Sequence, residues 1–295
     1  MFTIGCDPEF FVAKRGTPIP ACGLVPGTKD EPHKTEVGAM QVDGLALEIN
    51  INPVPLSNSG MGEFDRRIIQ TIKETKDTAS AAAGTLSIYR GCVADFSEEV
   101  MANLSDDDKR LGCDPDWNAY TLKHNEIPDG DVPFRVTGGH IHIGWDDTAS
   151  NPVDDPDYIA MCADFVKVMD LFVGIPLKYL DTEERRRQMY GKAGAFRPKP
   201  YGVEYRSPSN WWIFEKSRRL AVFELTKFAV NVMSNYGSAE RTVKSYTTMK
   251  PEEIESIIND PSPEAREKAF DIYSRYLRGG SIYCDRLVMA ERKKG

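Results

Sequence analysis

The apolar-rich stretch Phe2 to Ala13 reads as a strand, and apolar and polar residues alternate along Met40 to Asn52 and Phe134 to Trp145. A period of two predicts β-strands. The clearest is Met40 to Asn52, with Leu45, Leu47, Ile49 and Ile51 on one face and Ala46, Glu48, Asn50 and Asn52 on the other. Pro53 and Pro55 end it, and Pro8 marks an edge or a bulge in the first stretch. Parity changes at Gly138-Gly139, which predicts a bulge or a close backbone approach there. Thr85 to Tyr89 and Gly202 to Arg206 read as shorter strands.

Helical spacing sets in elsewhere. Glu63 to Ala83 carries Phe64, Ile68, Ile69 and Ile72 on one stripe, and Asp155 to Val173 carries Tyr158, Cys162, Phe165, Met169 and Phe172. Glu215 to Asn235 is a further helix, and Pro251 to Leu277 reads as two more, with Ser262-Pro263-Glu264 as a start and Gly279-Gly280 as a stop. Residues 181–201 read as a short basic helix followed by a glycine-containing loop. Residues 16–38 and 103–133 are turn-rich. Strands separated by helices, with one polar strand face, predict an α+β fold whose sheet has helices on one side and an open polar side on the other.

Composition narrows the function. Hydrophobic residues make up 41% and charged residues 28% of 295, which is globular, and the net charge of −8 argues against extended nucleic-acid binding. The most apolar run, Ala221 to Met233, is broken by Glu224 and Lys227, so no transmembrane helix is expected. Met1 to Asp7 has neither a basic nor a long apolar stretch, so no signal peptide is expected. Six cysteines without a CxxC read as free thiols of a reducing cytoplasm.

The candidate chemistry lies in four polar-x-polar triplets: Asp7-Pro8-Glu9, Glu48-Ile49-Asn50, His140-Ile141-His142 and Glu204-Tyr205-Arg206. Positions i and i+2 of a strand share a face, so acids, imidazoles and a guanidinium would line one sheet surface. Any single triplet is the ordinary pattern of a wet strand; the four together carry the argument. Carboxylates with imidazole suit Mg²⁺ or Mn²⁺, and arginines bind anionic oxygens. Arg185-Arg186-Arg187 through Lys192 to Arg197 adds cations just upstream of Glu204, although such arginines also suit a solvated helix face. Metals beside arginines describe a nucleotide-phosphate site. Trp211-Trp212 reads as core or interface, and Cys113-Asp114-Pro115-Asp116 as an Asp-rich turn.

The order of these motifs resembles the glutamine synthetase-like carboxylate–amine ligases. The fuller spellings, Gly5-Cys6-Asp7-Pro8-Glu9-Phe10, Gly138-Gly139-His140-Ile141-His142-Ile143-Gly144, Arg187-Gln188-Met189-Tyr190-Gly191-Lys192-Ala193-Gly194 and Gly202-Val203-Glu204-Tyr205-Arg206-Ser207, are similar to the phage-type branch of phiEco32-like COOH–NH2 ligases. The resemblance covers residues 1 to about 235. It implies a single domain over residues 1–295 with a helical C-terminal extension at about 237–295, and a largely antiparallel, curved catalytic sheet with helices on its outer face. It further implies ATP, two or three Mg²⁺ or Mn²⁺ ions, and phosphorylation of a carboxylate that an amine then attacks. By the same resemblance Glu9, Glu48, Glu204, Asp7 and one of the two histidines, His140 being favoured, would hold metal. Arg187, Lys192, Arg197 and Arg206 would bind the nucleotide, with Arg197, Arg206 and His142 catalytic. The partners implied are a carboxylate and an amine, from an amino acid, a peptide or a protein side chain, in the cytoplasm (the host's, if phage-encoded). Monomer and homo-oligomer both stay open.

Two other classes compete. A metal-dependent amide hydrolase could use His-x-His, but the barrel type needs later histidines, and His33 and His124 both lie upstream. A cupin would place a Glu soon after the pair, where this chain has Ile143-Gly144-Trp145-Asp146-Asp147. A non-catalytic metal- or nucleotide-binding protein would use the same triplets without turnover.

Overall fold

The computed structural model describes residues 1–104, 116–126, 132, 134–145 and 151–294. The Gly112–Pro115 run with Cys113, and Asp146-Asp147, lie outside the described residues. The fold is α+β, and the strand pairs are antiparallel. One sheet has, in spatial order, the strands Lys123–His124, Trp117–Asn118, Ala195–Lys199, Gly202–Tyr205, Ile141–Gly144, Thr3–Cys6 and Val54–Pro55. A second has Thr17–Ile19, Glu9–Lys14, Ala46–Ile51, Gly38–Asp43 and His33–Lys34, with Ser87–Tyr89 also paired to Glu9–Lys14. Phe134–Val136 and Val93–Asp95 form a separate ribbon.

The polar face is therefore shared between two sheets, and two stretches of chain run from one into the other. The expected strand Phe2 to Ala13 breaks at Asp7-Pro8, leaving Thr3–Cys6 in the first sheet and Glu9–Lys14 in the second. Asn52-Pro53 does the same between Ala46–Ile51 and Val54–Pro55. Proline cannot donate to a ladder, so both breaks fall where pairing must change partner.

The expected single strand Met40 to Asn52 is a hairpin, Gly38–Asp43 and Ala46–Ile51, in which Asp43 pairs with Ala46 across Gly44-Leu45. Gly44 has φ +54°, open to glycine and strained for other residues. Phe134 to Trp145 also divides, because Gly138-Gly139 kinks the chain. A side chain on Gly138 would strike the His140 ring, and one on Gly139 the Ser209 carbonyl and the Trp212 indole.

The apolar strand faces meet a layer of helices. Met61–Ala83 buries Phe64, Ile68, Ile72, Thr75 and Ala79, spaced by three or four, against Ala46–Ile51; Ile69 falls off that stripe and is exposed. Pro156–Met169 is shorter than expected, because a π-turn at Asp170–Gly174 leads into Ile175–Leu180. Lys216–Tyr236 packs beside Pro156–Met169 and Met61–Ala83. Beyond residue 237 come Ala239–Tyr246 and Ile282–Arg292 as well as the expected pair, Pro251–Asn259 and Pro263–Ile272. Ile254, Ile258, Ala269, Leu277, Cys284 and Val288 from this tail join the same apolar core as the strands. Among the described residues no helix is long and apolar enough to cross a membrane.

Candidate active site

Glu204 is the centre of the first group. On Gly202–Tyr205 it lies directly opposite His142 on one neighbouring strand and Arg197 on the other. Tyr205, one residue on, points the other way into the core, where its hydroxyl donates to Asp170 at 2.7 Å. Asp7 reaches the same place from the break after Thr3–Cys6: its Oδ2 is 3.0 Å from His142 Nε2 and its Oδ1 3.3 Å from His140 Nδ1. Asp7, His142 and Glu204 each offer one donor atom, all within 4.8 Å of one another.

The second group sits on the other sheet. Glu48 is flanked by Glu9 on one side and Gln41 on the other, and Asp43 stands two residues beyond Gln41 on the same face. Glu9, Asp43 and Glu48 likewise offer one oxygen each within 4.8 Å. Glu9 is fixed by its surroundings: Gly138 N–H donates to its Oε2 at 2.8 Å, its own N–H donates to the Gly138 carbonyl, and Asn210 Nδ2 donates to its carbonyl at 2.9 Å.

Cations of the chain border both groups. Arg206 ion-pairs with Glu204, donates from Nε to Asp116 at 3.2 Å, and lies 3.3 Å from His140 Nδ1. Lys199 Nζ is 2.8 Å from Glu204 Oε2. Arg186 is a strut: its guanidinium donates to the carbonyls of Thr137, Ser207 and Arg206. It fills the space beside Gly191, whose φ of +77° and lack of a side chain leave room for it.

Protonation follows this layout. Burial is the largest influence and alone would raise Asp7 and Glu204, but His142 and His140 together outweigh it for Asp7, and Arg206, His142 and Lys199 together for Glu204, so both carboxyls stay well below the usual range. Burial, with Asp43 beside it, pushes Glu9 up to about 7. Burial also raises Asp43 against the pull of Lys29, and raises Glu48 further with the help of Asp7 and Glu9. Burial and the Arg206 charge push His140 down to about 4. It is neutral near pH 7, and its Nδ1 can accept from Arg206. Burial lowers His142, but Asp7 more than reverses this and raises it.

Of the residues singled out from sequence, Glu9, Glu48, Asp7, Glu204, His140, His142, Arg197 and Arg206 converge. His142, rather than His140, offers its nitrogen to the Asp7–Glu204 group. Arg187 and Lys192 do not converge. Arg187 Nη1 pairs with Glu184 at 2.9 Å, and its charge acts on Tyr205 and Lys178 behind the sheet. Lys192 is exposed. The expected basic helix is a 3-10 turn, Arg185–Gln188, followed by the strand that carries Arg197. Trp212 is buried and stacks on Phe64, as core.

Sequence reasoning passed over three members: Asp43, Lys199 and Asp116. Asp43-Gly44 is a hairpin signal, and Arg197-Pro198-Lys199 is a fifth polar-x-polar triplet. Asp116 had no signal beyond its Asp-rich turn.

Oxygen-rich groups with one imidazole suit hard divalent cations, and the three mutually repelling carboxyls around Glu48 fit such an ion best. No curated protein matches the chain. Residues 126–255, which carry both histidines, Arg197, Glu204 and Arg206, match the Phage phiEco32-like COOH.NH2 ligase-type 2 family, ligases that join a carboxyl to an amine, and this is the family to which the order of motifs pointed.

Proposed function

We propose that the protein is an ATP-dependent carboxylate–amine ligase that works through an acyl phosphate. The observation that carries this reading is the meeting of two oxygen-donor groups, Glu9–Asp43–Glu48 and Asp7–His142–Glu204, on one surface bordered by Arg197, Lys199 and Arg206. A carboxylate does not yield to an amine directly, because oxide would have to leave. Transfer of the γ-phosphoryl group from ATP to the carboxylate oxygen gives ADP and an acyl phosphate; the amine then displaces inorganic phosphate and forms the amide.

The two donor groups would each hold a Mg²⁺ or Mn²⁺ ion, which supplies charge neutralisation to the nucleotide phosphates. The chain's own residues do the rest. Arg206 is held by Asp116 and Glu204, so its fork is fixed before substrate arrives, and it is placed to bind phosphoryl oxygens with Arg197. Neutral His140 keeps Arg206 oriented by accepting from it. The hydroxyl of Tyr201, 2.5 Å from His142 Nδ1, fixes the ring whose other nitrogen faces Asp7.

The test is ADP release with Mg²⁺ or Mn²⁺ across a panel of amino acids, alone and in pairs with amines. ADP formation that depends on both an acid and an amine is expected. ADP-free amide cleavage, or no turnover with any pair, would overturn the reading.

A further inference from the structure

We infer that Lys199 is an internal counter-cation of Glu204, and that it sets how tightly the Asp7–His142–Glu204 group takes a divalent cation. This rests on the proposed reading of that group as a cation site.

Lys199 ends the strand Ala195–Lys199, and the turn Pro200-Tyr201 brings the chain back at Gly202. Glu204 is engaged on both oxygens, by Arg206 at Oε1 and by Lys199 Nζ, 2.8 Å away, at Oε2. The two cations differ in how they are held. The Arg206 side chain is 5% exposed and bound on two sides, by Asp116 and Glu204. The Lys199 side chain is 28% exposed, at the end of a hairpin. Lys199 can therefore withdraw to solvent without disturbing the strands, and Arg206 cannot.

A divalent cation shared by Asp7, His142 and Glu204 must use oxygen lone pairs of a carboxylate that Lys199 and Arg206 already neutralise. An ammonium 2.8 Å from that oxygen repels the incoming ion, so binding has to displace it. The same turn also touches a second donor, through Tyr201 and His142. One hairpin tip thus governs two of the three donors, although none of the three lies in it.

The experiment is calorimetric titration of Mn²⁺, without nucleotide, into the full-length protein and its Lys199→Met variant. Asp43→Asn marks which binding class belongs to the other group. Removing the ammonium should tighten the Asp7–His142–Glu204 class by about ten-fold or more and leave the other class unchanged. It should also lower the melting temperature of the metal-free protein. Lys199→Arg, which keeps the charge, should leave the affinity at the wild-type level. Lys192→Met removes an exposed charge from the same segment and should likewise change nothing. Equal Mn²⁺ affinity in Lys199→Met and wild type, or equal tightening in Lys199→Arg, overturns the inference and leaves the ligase reading standing. Failure of both wild type and variant to bind Mn²⁺ overturns the cation reading and this inference with it.

Discussion

Asp7 and Glu9 are separated by one proline, yet they belong to groups with opposite electrostatics. Asp7 joins His142 and Glu204, where the chain supplies the positive charges of Arg206 and Lys199 and a histidine that Asp7 holds toward its charged form. Despite burial, its carboxyls remain ionised. Glu9 joins Asp43 and Glu48, where burial and like charges dominate and all three carboxyls are pushed up. The first group has counter-charges of the chain in direct contact, whereas in the second the pull of Lys29, Arg206 and Arg186 does not offset burial, and protons or an added cation supply the remainder. Two sites built of the same residue types can therefore differ in what they demand from solution, according to which cations the neighbouring strands supply.

The largest effect expected from this contrast is on Glu48→Ala. Glu48 lies between Glu9 and Gln41, so its loss removes the centre of the cation-demanding group. Amine-dependent ADP release should fall by about a thousand-fold or more, with the circular dichroism spectrum unchanged. Full activity would show that this group is not the one that matters. A smaller loss, about ten- to a hundred-fold in kcat, is expected for Arg206→Lys, because an ammonium cannot span Asp116 and Glu204 as the planar fork does. Unchanged steady-state kinetics would give Arg206 a purely structural role.

The smallest effect is on stability. In chelator, Glu9 titrates at about 7 in the folded protein against an ordinary value of 4.5. Its folded form holds the proton more tightly, so stability is lost as pH rises through that interval. Asp7 and Glu204 act the other way: their depressed values add stability above the ordinary carboxylate range, and it is lost as pH falls. His140, lowered to about 4, opposes this by adding stability as pH rises toward its ordinary value of 6.5. With three raised carboxyls against it, the melting temperature of the chelated protein should still drop on the order of 5 °C between about pH 5 and pH 7.5. Mn²⁺ should restore it at the upper end. Burial raises Asp170 to about 7 as well, away from either group, so only the Mn²⁺-sensitive part of the drop belongs to Glu9, Asp43 and Glu48. A melting temperature at pH 7.5 indifferent to Mn²⁺ would erase the contrast.

What could be read in the sequence was local. Alternation put Glu48 on a polar face and Glu204 beside Arg206, because the period of a strand is a property of neighbouring residues. It also drew attention to both histidines, but parity alone could not tell that the paired strand begins at Ile141 and that His140 stands in the kink beside Arg206. Asp43 was passed over although the alternation changes phase at Gly44, from Met40 and Val42 to Leu45, Leu47, Ile49 and Ile51, as a turn there requires. Arg187 and Lys192 show the reverse error. A cluster of cations in sequence says nothing of direction, and the 3-10 turn sends Arg185 to Asp95, Arg186 to the carbonyls of Thr137, Arg206 and Ser207 just past two strand ends, and Arg187 to Glu184. The division of the polar face between two sheets depends on pairings more than a hundred residues apart, such as Gly5 with His142, which no local pattern encodes.

The break at Pro8 bears on the order in which the two groups can form. The hairpin that completes Glu9's group follows that residue within a few dozen positions. Asp7 must wait for His142 and then Glu204, far later in the chain. The Glu9 group can thus form from one local stretch of chain, whereas the Asp7 group closes only when strands from widely separated stretches have paired.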